Sequence, residues 1–384
     1  MIPLAIPNLS GNEARYLQEC VDTNFVSSVG PFVTSFEEMI AGAAGARGAV
    51  ATSSGTTGLH AALTAAGVRR DDLVVLQSLT FIASANAIAH CGALPWLIDV
   101  TNESWTLDPD ALAELLYRET ERRGETIVQR SSGRRVVAVM PVYTLGVPAD
   151  MQRIVEIAHR HGLAVVADAA AALGATYRGM RAGELGADLT VFSFNGNKTV
   201  TAGGGGAVAG NDERLCKLVR HLTTTARSGT EYDHDMVGFN YRMTNLQAAV
   251  GCAQLEQLEP FVAAKRRLAQ RYNQALQGLP GVGAFPAPSW ATSACWFSGI
   301  TLTQPTVAET IPRLRAKGVD ARPFWKPIHL QRPYADAPRG ALPVADAVWH
   351  TMLTLPCSTH LTDDEQRTVI AAVRDCLGST NEKR

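Results

Sequence analysis

The chain has 384 residues, of which 46% are hydrophobic and 18% charged, and its formal net charge is −1. That balance suits a globular protein with a sizeable core and supplies no global field to recruit nucleic acid or an anionic membrane. Seven scattered cysteines without a CxxC pair predict reduced thiols in a cytoplasmic protein, and the first residues carry neither signal-peptide nor membrane-span character.

In chain order, a first amphipathic helix is predicted over 10–22, with Ser10 as its cap and Glu13 three positions on. The small and turn-forming residues of 24–31 break it, and a second helix covers 32–44. From Ala49 the pattern alternates. Apolar strands are predicted at 49–52, 73–76, 95–100, 136–142, 163–167 and 189–194, with helical segments such as 59–66 between most of them. Strands alternating with helices predict an α/β domain around a largely parallel sheet. The charged segment 118–135 reads as an irregular, solvated excursion, more often surface than nucleic-acid site. Beyond Asp212 the periodicity is helical over 244–258. Pro260 is expected to end or bend that helix before a charged one at about 263–279. The proline-containing stretch 280–290 reads as a hinge into a smaller C-terminal domain with a strand at 297–302 and helices at 307–316 and 363–376.

Candidate chemistry gathers at strand ends. Asp168 closes the strand 163–167, where open α/β sheets place their ligands. Taken alone it reads better as a cap for the next helix. Lys198 follows thirty positions later, on a short polar turn between a buried strand and the glycine run 203–206. An acid and a lysine at adjacent strand ends point to a pyridoxal phosphate site. There the lysine holds the cofactor as a Schiff base and the aspartate pairs with the protonated pyridine nitrogen. Ser54, Gly55 and Thr56 at a helix start, with Ser193, offer hydroxyls and N–H groups for the phosphate. Phe81, at another strand end, offers a face for the ring. Histidine and carboxylate spacing gives no metal-ligand pattern.

The motifs Ser54-Gly55-Thr56, Leu79-Thr80-Phe81, Asp168-Ala169-Ala170, the run 193–198 and the run 238–243 resemble, in order and over nearly the whole chain, the nucleotide-sugar aminotransferases of the DegT/DnrJ/EryC1/StrS group. The resemblance implies the type I aminotransferase fold: a large domain (1–262) with a mostly parallel seven-stranded sheet, and a small C-terminal α+β domain (263–384). It makes Lys198 the Schiff-base residue, Asp168 the pyridinium partner, Phe81 the stacking aromatic, and Gly55, Thr56 and Ser193 phosphate ligands. Asn240 in such enzymes reaches the neighbouring subunit's phosphate, which implies a homodimer with shared sites. The runs 24–30, 192–198, 324–331 and 355–358 and the excursion before Val136 are similar to the bacillosamine and legionaminic acid branch. That branch moves an amino group from L-glutamate to C4 of a UDP- or GDP-linked 4-keto-6-deoxy sugar bearing an N-acetyl group. Asn24, Ser27, Trp325, Lys326 and His329 are candidates for sugar-nucleotide contacts. One departure stands out: the family usually has Gln, His or Glu three residues after the aspartate, and here the residue is Ala171. The alternatives are a perosamine-type or C3 keto-sugar aminotransferase and, from another class, a non-catalytic cofactor-binding regulator.

Overall fold

The computed structural model describes residues 1–378. Nine strands form the large sheet: β1 (Gly48–Thr52), β2 (Leu73–Gln77), β3 (Leu94–Ile98), β4 (Thr120–Arg123), β5 (Thr126–Gln129), β6 (Arg135–Met140), β7 (Ala164–Asp168) and, after the short ribbon strands β8 (Thr176–Tyr177) and β9 (Met180–Arg181), β10 (Leu189–Ser193) and β11 (Gly206–Gly210). Seven of them run in one row, β1-β11-β10-β7-β6-β2-β3, and only β11 is antiparallel to the others in it. The mostly parallel α/β sheet expected from the alternation is therefore present. Strands such as β2 are buried along their whole length, as a parallel sheet covered on both faces requires. Helices α1 (Glu13–Asp22), α2 (Pro31–Ala44), α3 (Gly55–Ala65), α4 (Ile82–His90), α5 (Pro109–Glu119), α6 (Met151–Arg160), α7 (Glu213–Thr223) and α8 (Asn245–Leu255) accompany it. Two large apolar clusters fill its faces, one including Phe36, Tyr143 and Phe194 and the other Leu63, Leu76 and Val191.

Several local expectations are corrected. Helix α1 begins at Glu13, not beside Ser10, and Glu13 is buried with its carboxylate accepting from Gly11 N–H at 2.9 Å. Segment 118–135 is not irregular. Strands β4 and β5 form a hairpin that continues onto β6, and its charges are paired, Arg130 with Glu121 inside the hairpin and Arg135 with Asp72 just before β2. Strand β11 was not expected, because two glycines and two alanines in Gly206–Gly210 have poor strand propensity. Those positions must be small: a Cβ on Gly206 would lie 2.4 Å from the Ser54 carbonyl oxygen.

Pro260 does not break the chain's helical course. It sits in the first turn of α9 (Leu258–Leu276), where its missing N–H has no intrahelical acceptor to lose. A division at residue 262 falls inside this unbroken helix. Its start packs in the large-sheet core through Phe261 and Val262, and its end packs with Tyr272 and Leu276 against the second sheet. After a two-residue hairpin pair, β12 (Arg227–Ser228) and β13 (Asp233–His234), come β14 (Val282–Ala284), β15 (Ala291–Thr292), β16 (Ser298–Leu302), β17 (Arg322–Pro323) and β18 (Met352–Leu355). The second sheet has the order β14-β16-β18-β17. Helices α10 (Val307–Ala316) and α12 (Asp363–Gly378) cover it, and α11 (Pro343–Val348) lies between them in sequence. The predicted hinge thus contains a strand of that sheet. Residues 379–384 of the expected small domain lie outside the described residues.

Candidate active site

Parallel pairing brings the two key side chains together. Asp168 is the last residue of β7 and stands opposite Val191 of β10, so twenty-three residues of sequence become one strand spacing. Beyond β10 the chain loops out and is tied back at its base: Phe194 N–H donates to the Gly205 carbonyl and Ala202 N–H to the Phe194 carbonyl. The left-handed conformation of Gly203 and Gly205, φ +73° and +106°, lets the loop turn into β11. Lys198 lies on this loop.

Asp168 is buried. Its Oδ2 accepts from Ser84 Oγ at 2.7 Å and its Oδ1 from Ala170 N–H at 3.1 Å. Burial pushes its carboxyl above the usual range, while the Ser84 hydroxyl, the Ala170 N–H and the charge of Lys198 work against that shift. Burial also pushes the Lys198 amine down to about 8, and Asp168 opposes it. Lys198 Nζ sits 3.7 Å from the centroid of the Trp296 ring.

These groups line one cavity of about 360 Å³, along with Ser54, Gly55, Thr56, Phe81, Ser193 and Trp325. Helix α3 opens on it. Ser54 caps the helix by accepting from Thr57 N–H, and Thr57 Oγ1 accepts from Ser54 N–H in return. The N–H groups of Gly55 and Thr56, at the first two helical positions, have no intrahelical acceptor and stand at the positive end of the helix dipole. Gly55 is there because Ser193 passes so close: a Cβ would lie 2.9 Å from Ser193 Cβ and 3.2 Å from its Oγ. The result is a cradle of N–H and hydroxyl donors suited to a phosphate. Phe81, half-exposed, supplies an aromatic face beside Trp325, at 5.7 Å between ring centroids. Inside the cavity, a desolvated carboxylate has a raised affinity for a cation. A ring with a protonated nitrogen at one end and a phosphate at the other therefore fits the residues present. Ala171 is also on the wall and brings no polar side-chain atom to it.

Other expected residues lie elsewhere. Asn240 lines a different, open hollow with Ser28, Thr225, Arg227 and Arg242. Ser27 and Asn24 belong to the connection between α1 and α2, where the Ser27 carbonyl accepts from Asn245 N–H. Neither lines the Lys198 cavity. His329 has both ring nitrogens engaged, Nδ1 with Ser78 Oγ at 2.7 Å and Nε2 with Asp346 at 2.8 Å, so as placed it presents no nitrogen to a pyrophosphate. Lys326 is exposed and off the cavity wall. Conversely, Ser84, Trp296 and Phe297 escaped the sequence reading. The spacing of Ser84 in the first turn of α4 was a usable signal, four residues after Thr80. Trp296 and Phe297 gave none, because only the fold carries the segment before β16 back to Lys198.

A lysine and an acid at neighbouring strand ends, with a phosphate cradle at a helix start, define the class of α/β enzymes that hold pyridoxal phosphate. The chain belongs to the DegT/DnrJ/EryC1/StrS aminotransferase family, whose model matches residues 7–374. It is an aminotransferase acting on nucleotide sugars, with pyridoxal phosphate as its cofactor. It is 39% identical to GDP-perosamine synthase of Caulobacter vibrioides, covering 98% of both chains. It is 33% identical to GDP-perosamine synthase of Vibrio cholerae, over 98% of this chain and 99% of that one. Among solved structures, the aminotransferase TlmJ from Streptoalloteichus hindustanus superposes with a TM-score of 0.89 at 29% identity, covering 99% of this chain and 100% of that one. These relatives favour the perosamine-type alternative over the bacillosamine-type expectation. The shared motifs around Lys198 and Asp168 belong to the cofactor site, so they do not separate the two substrates.

Proposed function

We propose that this protein moves an amino group from an amino acid, L-glutamate by the family's habit, to C4 of a GDP-linked 4-keto-6-deoxyhexose without an acetamido group. The observation that carries this substrate is the 39% identity to GDP-perosamine synthase over essentially the full length of both chains. Bound in the cavity, pyridoxal phosphate supplies a carbonyl that exchanges for the amino group and a ring that withdraws electrons from the adjacent carbon. The chain's own residues do the rest. Asp168, held by Ser84 and Ala170, would supply the negative charge that keeps the ring nitrogen protonated. Gly55, Thr56 and Ser193 anchor the phosphate. Nζ of Lys198, whose pKa of about 8 leaves part of it neutral near pH 7, takes the proton from the donor's α-carbon and delivers one to sugar C4 in the other half-reaction. Phe81 and Trp325 wall the cavity with aromatic surface and limit water at the reacting atoms.

Asn240, with Ser28 beside it in the open hollow, serves the cavity of a second subunit in a homodimer with shared sites; Asn24 and Ser27, on the loop that carries Ser28, are assigned the same role. Cross-linked or size-separated dimers that lose cofactor on Asn240→Ala would bear this out, and a fully loaded monomer would refute it. For the substrate, the purified protein is incubated with glutamate and either a GDP-linked 4-keto-6-deoxyhexose or a UDP-linked 4-keto-6-deoxy-N-acetylhexosamine, and products are weighed by mass spectrometry. Preferential amination of the acetamido sugar overturns the proposal in favour of the bacillosamine type. Failure of glutamate to change the visible spectrum of the bound cofactor favours a non-catalytic regulator.

A further inference from the structure

Trp296 is held at several points. Its backbone N–H donates to the Leu145 carbonyl at 3.2 Å, and its carbonyl accepts from Lys265 Nζ at 2.9 Å. Its indole Nε1 donates to the Asn197 carbonyl at 2.7 Å, one residue before Lys198. The ring stacks on Phe297 at 4.1 Å and is almost wholly buried. Against this fixed face lies Lys198 Nζ, 3.7 Å from the ring centroid. Among the described residues no hydrogen-bond acceptor bonds that nitrogen. An ammonium over an indole face is attracted by the ring quadrupole without a directional bond, and the attraction strengthens when water is excluded.

We infer that Trp296 is a positioning residue that receives the Lys198 ammonium whenever the amine is not joined to the cofactor. The inference rests on the aminotransferase reading of the cavity. It follows that Trp296 stabilises the free-lysine states of the site relative to the joined one. Pyridoxal phosphate condenses with Nζ: the ammonium loses two hydrogens to the aldehyde oxygen, which leaves as water, and a protonated C=N bond remains. Nζ is thereby drawn off the ring. Pyridoxamine phosphate carries an amine in place of the aldehyde and leaves Nζ where it is. Asp168 and Tyr143 are the other titratable groups on the cavity wall. They remain unchanged in the variants below.

The test is the ratio of the apoprotein's affinities for pyridoxal phosphate and pyridoxamine phosphate, measured by titration at pH 7 in the unchanged protein, Trp296→Leu and Trp296→Phe, with folding checked by thermal unfolding. Trp296→Leu is expected to shift the ratio toward pyridoxal phosphate by about 2- to 30-fold, the range of a cation–π contact. Trp296→Phe keeps a face but loses the indole N–H, and should retain most of the original ratio. At pH 10, where Nζ is neutral in every protein, the difference should largely vanish. An unchanged ratio in Trp296→Leu overturns the inference. So does an equal shift in both variants, which would assign the effect to the bond with Asn197, and so does a shift that persists at pH 10. If the unchanged protein binds neither vitamer, the aminotransferase reading itself fails, an outcome distinct from these.

Discussion

Two lysines flank Trp296, and their surroundings differ. Lys265 is almost wholly buried, and its Nζ donates to the Trp296 carbonyl and to Cys357 Sγ at 3.5 Å. Lys198 lies on the other side, against the ring, in a cavity with an acid and a phosphate cradle. Acceptors aimed at an amine occupy its hydrogens and make it a strut. A π face holds the charge while leaving the nitrogen free to meet a carbonyl. Withdrawal of an amine from bulk water is therefore no guide to its reactivity; the kind of partner is.

Removing the reactive amine has the largest effect. Lys198→Ala should lower transamination by about 10³-fold or more, the scale of losing a combined nucleophile and proton carrier, while the cofactor still binds without a covalent link. Single-turnover absorbance measurements check it, and near-normal turnover would remove Lys198 from the reaction. Asp168→Asn keeps the shape and loses the charge. A loss of about 10²- to 10³-fold is expected, typical of deleting a preorganised charge at a reacting centre. A pH profile sharpens the contrast. The Lys198 pKa is lowered to about 8, so its neutral fraction rises with pH up to that value. Capture of pyridoxal phosphate by the apoprotein should therefore quicken by about 50-fold from pH 6 to pH 8 and then level off. A profile still climbing nearly tenfold from about pH 8 to pH 9 would mean an ordinary exposed lysine. The strut behaves differently. Lys265→Met removes the closer of two donors to the Trp296 carbonyl, leaving the Cys357 thiol at 3.7 Å, and should cost about 1–3 kcal/mol of stability, read from urea unfolding, with cofactor capture retained. Smallest is Ser84→Ala, which removes one of two bonds to Asp168. Cofactor affinity should fall by about tenfold or less, and a conservative Ser84→Thr should restore part of it.

The alternation of apolar strands and helices, the lysine and acid at strand ends and the Ser54-Gly55-Thr56 helix start were all legible in the linear chain. Each is local: burial on both faces demands continuous apolar runs, and a helix start needs a cap and free N–H groups. Strand β11 was hidden because its glycines answer close approaches from other parts of the chain, Gly206 by Ser54 and Gly210 by Leu189 and Cys216. His329 looked like a ligand until its neighbours Ser78 and Asp346 were visible.

What the amino-acid order alone determined was the fold class, the cofactor chemistry and the acid–lysine pair, because these depend on residue types at short, regular spacings. Only the tertiary structure decided that Asp168 and Lys198 line one cavity with Trp296, that Asn240 is absent from the cavity of its own chain, and that Trp296, ninety-eight residues beyond Lys198, lies under its amine. Those facts depend on strand order and on the return of α9 and the second sheet to the large one. Contacts between residues so far apart leave no periodic trace in the sequence.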